Sequence, residues 1–79
     1  MSYRPLVETL IASVVEDSSA VSVEEEFDQG ARTFFVRVAP EDVGKVIGKS
    51  GRVVQAIRSV VSAVAAKSRE KAFVKIVTE

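Results

Sequence analysis

The sequence contains no cysteine and no histidine. Without cysteine, a disulfide framework and a thiolate metal site are excluded. Without histidine, a Ser-His-Asp triad, an imidazole general base and histidine-bound zinc are excluded as well. A chain of 79 residues allows one small domain and leaves little room for a catalytic cleft beside its core. We therefore expect a single domain, residues 1–79, with no metal ion, no cofactor and no small-molecule substrate.

Long hydrophobic runs are also missing. The apolar stretch from Leu6 to Val15 contains Glu8 and Thr9, and it is too short to span a bilayer. The N-terminus has no signal-peptide pattern, and neither terminus has a lipidation motif. Hydrophobic residues still make up 47% of the chain, which is too many for a disordered tail. The sequence predicts a soluble cytoplasmic protein with no membrane partner.

A net charge of either sign is lacking, because 11 basic and 11 acidic side chains cancel. The charges are nevertheless separated along the chain. Residues 1–28 hold one basic and seven acidic side chains, a net charge of −6, and residues 29–79 hold ten basic and four acidic ones, a net charge of +6. This separation fits either two solvated faces or a basic surface for a polyanion.

Hydrophobic periodicity predicts the element order α-β-β-α-α-β. The first two strands are joined by a short turn and form an antiparallel hairpin, whereas a helical crossover makes the third strand parallel to the second. This pattern indicates an α+β, two-layer fold, with a three-stranded mixed sheet and three helices on one face. The predicted elements are a helix over 5–15, strands over 21–28 and 32–38, a short helix from Pro40 ended by Gly48, a helix over 52–67 and a strand over 72–77.

The long helix has a broad apolar stripe. Its expected core positions are Val53, Ile57, Val60, Val61 and Val64, with Val54, Ala56, Ala63 and Ala65 at the edges. A small domain buries little core of its own, so this stripe favours a homodimer or heterodimer through the helix. The alternative is that the alanines serve helix propensity. In the strands, Phe34, Phe35 and Phe73 are expected in the core.

Two glycines separate the short and the long helix in the segment Gly48-Lys49-Ser50-Gly51. Glycine permits a tight turn and lets a ligand backbone approach closely, and the start of the following helix offers N–H groups and a positive dipole. Lys49 and Arg52 add full charges, so the segment suits a sugar-phosphate backbone.

Three other interpretations of this segment are a P-loop, a helix-turn-helix and a turn that binds nothing. A P-loop requires a glycine at position 43 and a preceding strand, but Val43 and a predicted helix stand there. A helix-turn-helix that reads the major groove of DNA needs a shorter turn. A turn that binds nothing remains open, because Gly-x-x-Gly alone is a weak signal.

The segment Val46-Ile47-Gly48-Lys49-Ser50-Gly51 is followed by Ile57 and lies within the predicted element order. On the basis of this segment and this order, the chain resembles the type II KH domain over nearly its full length. It is similar, more narrowly, to the small bacterial single-KH RNA-binding proteins. That resemblance implies an RNA chaperone that pairs with a larger RNA-binding protein of the Jag type and affects cell elongation and division. It also implies a groove for about four single-stranded nucleotides.

The resemblance assigns three kinds of RNA contact. The glycine loop, residues 48–51, clamps the RNA backbone, apolar side chains form the floor, and cations supply the electrostatics. For five basic residues after the loop, a solvated surface position is favoured over a specific RNA contact; they are Arg58, Lys67, Arg69, Lys71 and Lys75. The candidate RNA-binding residues are Lys45, Val46, Ile47, Gly48, Lys49, Ser50, Gly51, Arg52, Val54 and Arg58.

Two other functions remain open at this stage. One is a protein-interaction or dimerisation module that has kept the KH fold, and the other is binding of single-stranded DNA. An enzyme would have to use the carboxylates of Glu24, Glu25 and Glu26, which lie on a predicted strand without a base or a metal partner. We expect an acidic structural face there and no catalysis.

Overall fold

The computed structural model describes residues 3–78, and their elements follow the predicted order α-β-β-α-α-β. The helices are α1, Arg4–Ala12, α2, Val43–Ile47, and α3, Arg52–Lys67. The strands are β1, Ser22–Asp28, β2, Ala31–Arg37, and β3, Lys71–Ile76. Single 3₁₀ turns cover Ser18–Ala20, Pro40–Asp42 and Lys49–Gly51.

The sheet has the order β1-β2-β3. β1 and β2 pair antiparallel through a two-residue turn, in which Gln29 and Gly30 have φ values of 51° and 80°. Two positive φ values are what a tight hairpin turn requires. β3 pairs parallel to β2, after the crossover through α2 and α3. The predicted α+β class, with a mixed sheet and three helices on one face, is thus confirmed.

The core lies between the helices and one face of the sheet. Alternation along the strands directs Val23, Phe34 and Val74 to that face, where each is at most 2% exposed. The other buried hydrophobic members of the cluster come from both layers; they are Tyr3, Val7, Ile11, Val36, Val46, Ile57, Val61, Ala65 and Ala72.

The predicted end of the first helix is wrong. α1 ends at Ala12 instead of Val15. The Ser13 hydroxyl donates a hydrogen bond to the carbonyl of Leu10, with an O–O distance of 2.6 Å, and a serine hydroxyl that binds the backbone in this way competes with further helical bonds. Val14 and Val15 still pack against the core, so the apolar pattern continued beyond the helix.

The bounds of α3 are as predicted, but its core stripe is rotated. The helix buries Val54, Ile57, Val61 and Ala65, whereas Val60, predicted in the core, is 43% exposed. The inward-facing stripe is therefore centred on the side of Val54. On the other edge of the stripe, Val53, Ala56 and Val60 face the side of α1.

The outer face of the sheet is the face away from the core. Since successive side chains of a strand point to opposite faces, every second residue of each strand lies there. On β3 these are Lys71, Phe73 and Lys75, all exposed. Phe73 is 50% exposed, and Phe35 on β2 lies on the same face, paired with Lys75, so the predicted place of both rings in the core is wrong. Phe27 on β1 lies on the opposite, core-side face, level with Arg32 and Ala72; it is 59% exposed at the end of its strand, and the Arg32 guanidinium lies 4.9 Å from its ring centroid.

A polar cluster joins the start of α1 to the start of β3. The Tyr3 hydroxyl donates a hydrogen bond to Oε2 of Glu70 at 2.5 Å, and Nη2 of Arg32 lies 3.2 Å from Oε1 of the same carboxylate. Arg32 also forms an ion pair with Glu25. The Tyr3 hydrogen bond, followed by Arg32, lowers the pKa of Glu70. The folded state therefore favours the ionised carboxylate.

Candidate nucleic-acid interface

The glycine loop forms a strained turn between α2 and α3. The Gly48 N–H ends α2 by donating to the Gly44 carbonyl at 2.8 Å, and the Gly51 N–H closes the turn by donating to the Gly48 carbonyl at 3.1 Å. Gly48, Ser50 and Gly51 all have positive φ values, 77°, 57° and 74°. A non-glycine residue in the left-handed region carries strain that tends to mark ligand clamps, and Ser50 is such a residue.

Gly48 is required by packing as well as by its φ value. A Cβ atom placed there would lie 2.8 Å from Cβ and 2.9 Å from the backbone N of Val53, and would also contact Cγ2 of that residue. No atom lies within 4 Å of a Cβ built at Gly51. The two glycines therefore have different roles, since Gly48 lets the loop pack on α3 and Gly51 only turns the chain.

The cations and N–H groups of the loop are available to a ligand. Lys49, Ser50 and Arg52 are exposed. Within residues 3–78, the side chains of Lys49 and Arg52 form no ion pair. Over the same range, the N–H groups of Lys49 and Ser50 donate to no backbone carbonyl. Two positive charges and two unused donors beside a helix N-terminus suit a phosphate backbone.

Lys45 has a different environment. Its Nζ atom lies 2.9 Å from Oε1 of Glu16 and 3.6 Å from Oδ1 of Asp42. The hydrogen bond with Glu16 raises the pKa of Lys45. Asp42 is 1% exposed, and the N–H of Asp17 donates to its Oδ2 atom at 3.0 Å, which lowers the pKa of Asp42. The charge of Lys45 is thus largely compensated by neighbouring carboxylates.

The predicted apolar floor divides into two groups. Val46 and Val54 are 0% and 5% exposed, so they support the loop from below and offer no surface. Ile47 is half-buried at the end of α2 and is open to contact. Of the aliphatic side chains predicted for the site, Ile47 is therefore the one that a base can reach.

Arg58 connects α3 to the edge of the sheet. Its Nε atom donates to the carbonyl of Val74 on β3 at 3.0 Å. β3 is an edge strand, and a groove, here called the α3–β3 groove, runs between this edge and α3. A hollow of 210 Å³ in the groove is lined by Arg58, Ser62, Ala72, Phe73, Val74 and Lys75.

Sequence reasoning missed the contribution of two β3 side chains, Phe73 and Lys75, to this groove. Phe73 was placed in the core and Lys75 on plain surface, because the alternation of the strand does not show which face is covered. The sequence did hold one signal, the pair of lysines that shares a face with Phe73.

A second apolar hollow, of 330 Å³, lies between α1 and α3 on the other side of the long helix. It is lined by Leu10, Ser13, Val14, Arg52, Val53, Ala56, Ile57 and Val60. The rotated stripe of α3 produces it, since the helix leaves this apolar edge open. In residues 3–78, no group of acidic side chains could hold a metal ion. No helix in that range is long and apolar enough to cross a membrane.

Comparison with known proteins defines the class. Residues 4–76 match the model of the family described as KhpA/KhpB, KH domain. The chain is 43% identical over 72 residues to an RNA-binding protein KhpA of Caldanaerobacter subterraneus, covering 91% of this chain and 96% of that one. It is 40% identical over 74 residues to an RNA-binding protein KhpA of Clostridium acetobutylicum, covering 94% and 99%.

The class is thus the KH-domain proteins, as the sequence resemblance implied. Within it, the chain belongs to the KhpA/KhpB KH-domain family. Its fold is consistent with the type II arrangement, in which a helix and a strand precede the strand-helix-helix-strand unit that contains the glycine loop.

Proposed function

We propose that this protein binds single-stranded RNA, without catalysing a reaction, along the glycine loop and the α3–β3 groove. The observation that carries the proposal is the loop. Within residues 3–78 its exposed Lys49 and Arg52 have no ionic partner, and the N–H groups of Lys49 and Ser50 donate to no backbone carbonyl. A KH loop of this form clamps a nucleic-acid backbone. The names of the relatives, RNA-binding protein KhpA, support RNA as the ligand.

The proposed contacts follow from the geometry. Lys49, Ser50 and Gly51 hold phosphates, Gly48 allows the close approach, and Arg52 adds charge at the start of α3. Ile47 contacts a base, while Val46 and Val54 keep the loop in place. Arg58 holds the edge of β3 in position. Lys45 contributes little to RNA binding, because Glu16 and Asp42 largely compensate its charge.

The test is a double substitution in the loop, Lys49→Asp with Ser50→Asp. Two carboxylates would face the phosphates, so we expect binding of an RNA octamer to be lost in a fluorescence-anisotropy titration. The chain offers a matched control at the C-terminal end of α3, where Lys67→Asp with Ser68→Asp makes the same change in charge. The control is expected to retain binding. Equal loss in both variants, or binding in the loop variant, would contradict the proposal, and a DNA octamer of the same sequence tests the single-stranded DNA alternative.

We further propose that the α1–α3 hollow pairs this domain with a second protein, either another copy or a larger RNA-binding protein of the Jag type. The observation in favour is the uncovered apolar edge of α3, where Val60 is 43% exposed beside Val53 and Leu10. The family description itself names two proteins, KhpA and KhpB. A single groove binds RNA weakly, and pairing raises the effective affinity.

Sedimentation equilibrium tests the homodimer. We expect association in the wild type and its loss in Val60→Asp, while Ser59→Asp, a neighbouring exposed position on α3 outside the hollow, is the matched control. A wild-type monomer at high concentration would remove the homodimer and leave the larger Jag-type protein as the partner.

The physiological part of the proposal is an RNA chaperone in the cytoplasm that affects cell elongation and division. A short groove that holds a few nucleotides exchanges its RNA quickly, which suits a chaperone. Cells that carry the loop variant are expected to show altered length, whereas normal length in those cells would contradict this role.

A further inference from the structure

The outer face of β3 holds an exposed aromatic ring between two cations. Lys71, Phe73 and Lys75 alternate with the buried Ala72 and Val74, so the three side chains share the outer face. Phe73 is 50% exposed. Each lysine Cα lies about 7 Å from that of Phe73 along the strand. Such an aromatic ring has no role in the core, and it is not part of the loop.

Phe73 also borders the α3–β3 groove. It lines the hollow that contains Arg58 and a second one, of 380 Å³, formed with Ser62, Glu70, Lys71 and Ala72. Arg58 lies six residues after Arg52, the first residue of α3, so this part of the groove begins about 9 Å from the loop along the axis of α3. A single strand of RNA that follows the groove away from the loop reaches Phe73 at the edge of β3.

The charges of the outer face restrict the path further. The opposite edge, on β1, presents Glu26 and Asp28, both exposed, which repel phosphates, whereas the neighbouring Glu24 lies 3.8 Å from Nε of Arg37. Through the register, Glu26 is level with Thr33 and Thr33 with Phe73. A polyanion that crosses onto the outer face is thus confined to the β3 side, where Lys71 and Lys75 attract it.

We propose that Phe73 is a stacking site for one base of single-stranded RNA, with Lys71 and Lys75 holding the adjacent phosphates. The inference rests on the proposed function, because it extends the RNA path from the glycine loop over the edge of β3. Stacking on an aromatic side chain accepts every base, so the site adds affinity without adding sequence preference. Charge complementarity favours RNA here over a protein partner, because an exposed ring between two lysines matches a base between two phosphates.

The experiment uses the full chain and a random-sequence pool of RNA octamers, with a pool of tetramers for comparison. Replacing a stacking aromatic by alanine typically costs about five- to 150-fold in affinity. We expect Phe73→Ala and Phe73→Leu to lose at least about fivefold for the octamers and less for tetramers, which the loop and the near part of the groove accommodate. Phe73→Tyr should retain wild-type binding, because it keeps the aromatic ring, whereas Phe73→Leu keeps only the apolar volume.

A spectroscopic readout follows from the composition, since the chain has no tryptophan. Phe73→Trp introduces a single tryptophan, whose emission we expect the octamers to quench. Phe27→Trp is the matched control, because Phe27 is similarly exposed but lies on β1 and is expected to show no quenching.

Three outcomes are distinguishable. If Phe73→Ala and Phe73→Leu bind the octamers as the wild type does, while the Asp-Asp loop variant does not bind, the stacking site is overturned and the proposed function stands. If the loop variant binds RNA normally, the proposed function fails, and the stacking site fails with it. If the emission of Phe73→Trp changes with protein concentration and not with RNA, the outer face is a protein interface and the proposal is overturned.

Discussion

Replacing Gly48 by alanine tests the account of the loop most quantitatively. The new Cβ atom would lie 2.8 Å from Cβ and 2.9 Å from the backbone N of Val53. Backbone at the first turn of α3 cannot move aside in the way that the end of a flexible side chain can. The residue also has φ 77° and ψ 173°, a combination that is essentially restricted to glycine.

The magnitude follows from these two costs. A residue forced into this backbone region loses about 1–3 kcal/mol, and overpacking against a fixed neighbour costs about 1–3 kcal/mol. Gly51→Ala is the matched control, because its φ of 74° and ψ of 15° cost alanine only about 1–2 kcal/mol. Its Cβ meets no atom within 4 Å. The lower entropy of the unfolded chain returns about 0.4–1 kcal/mol to either variant, so it cancels in the comparison.

Thermal unfolding followed by circular dichroism measures the difference. For a domain of this size, 1 kcal/mol corresponds to roughly 4–8 °C in Tm. The mid-range costs, about 4 and about 1.5 kcal/mol, differ by about 2.5 kcal/mol, so we expect Gly48→Ala to melt roughly 10–20 °C below Gly51→Ala. If the two variants melt within a degree or two of each other, the close packing of the loop on Val53 is refuted.

Three more outcomes follow from the core and the titrating groups. Ile57→Ala should lower the free energy of unfolding, measured in urea, by about 2–5 kcal/mol. Val60→Ala, at an exposed site, should lower it by about 0.5 kcal/mol or less. Equal losses would contradict the assignment of Ile57 to the core and of Val60 to the surface. The pKa of Asp42 and of Glu70 is lowered in the folded state, so their contribution is present near neutral pH and is lost as the pH falls below about 4. Asp42→Asn should therefore flatten the acid limb of stability against pH, and an unchanged limb would contradict this. Tyr3→Phe should raise the pKa of Glu70 in an NMR titration, and an unmoved pKa would show that Arg32 alone sets it.

The parts of the fold that depend on local signals were predictable from the sequence. The two-residue turn at Gln29 and Gly30, the end of α2 at Gly48 and the full extent of α3 from Arg52 follow from glycine and hydrophobic periodicity. The face that each element buries was not as predictable. An apolar stripe as broad as that of α3 leaves the exact orientation of the helix to packing, which selected Val54 over Val60.

The loop was therefore predictable, whereas the opposite wall of the groove was not. Lys49 and Arg52 are near the two glycines in sequence, but Arg58 and Phe73 meet only through the packing of α3 on β3. The compensation of Lys45 by Glu16 has the same cause, because it joins residues from distant parts of the chain. Phe73 is exposed because, in residues 3–78, no helix covers the outer face of the sheet. Its alternation with Ala72 and Val74 separates the two faces of the strand but does not show which face is covered.

The zero net charge of the chain is consistent with this arrangement. The acidic side chains of β1 and the basic ones around the loop and β3 lie on different parts of the domain. Binding then depends on a local surface instead of an overall positive field. We expect the salt dependence to be modest, with the slope of log K against log salt falling by about 0.7 for each phosphate contact removed.

The central claim is that the glycine loop holds the RNA backbone, and amide chemical shifts measure it directly. A titration of the ¹⁵N-labelled protein with single-stranded RNA octamers is predicted to shift the amides of Gly48 to Arg52 most. Smaller shifts are predicted along β3, and little change is predicted at the α1–α3 hollow. Loop amides that stay in place while the RNA shifts other residues would contradict the account.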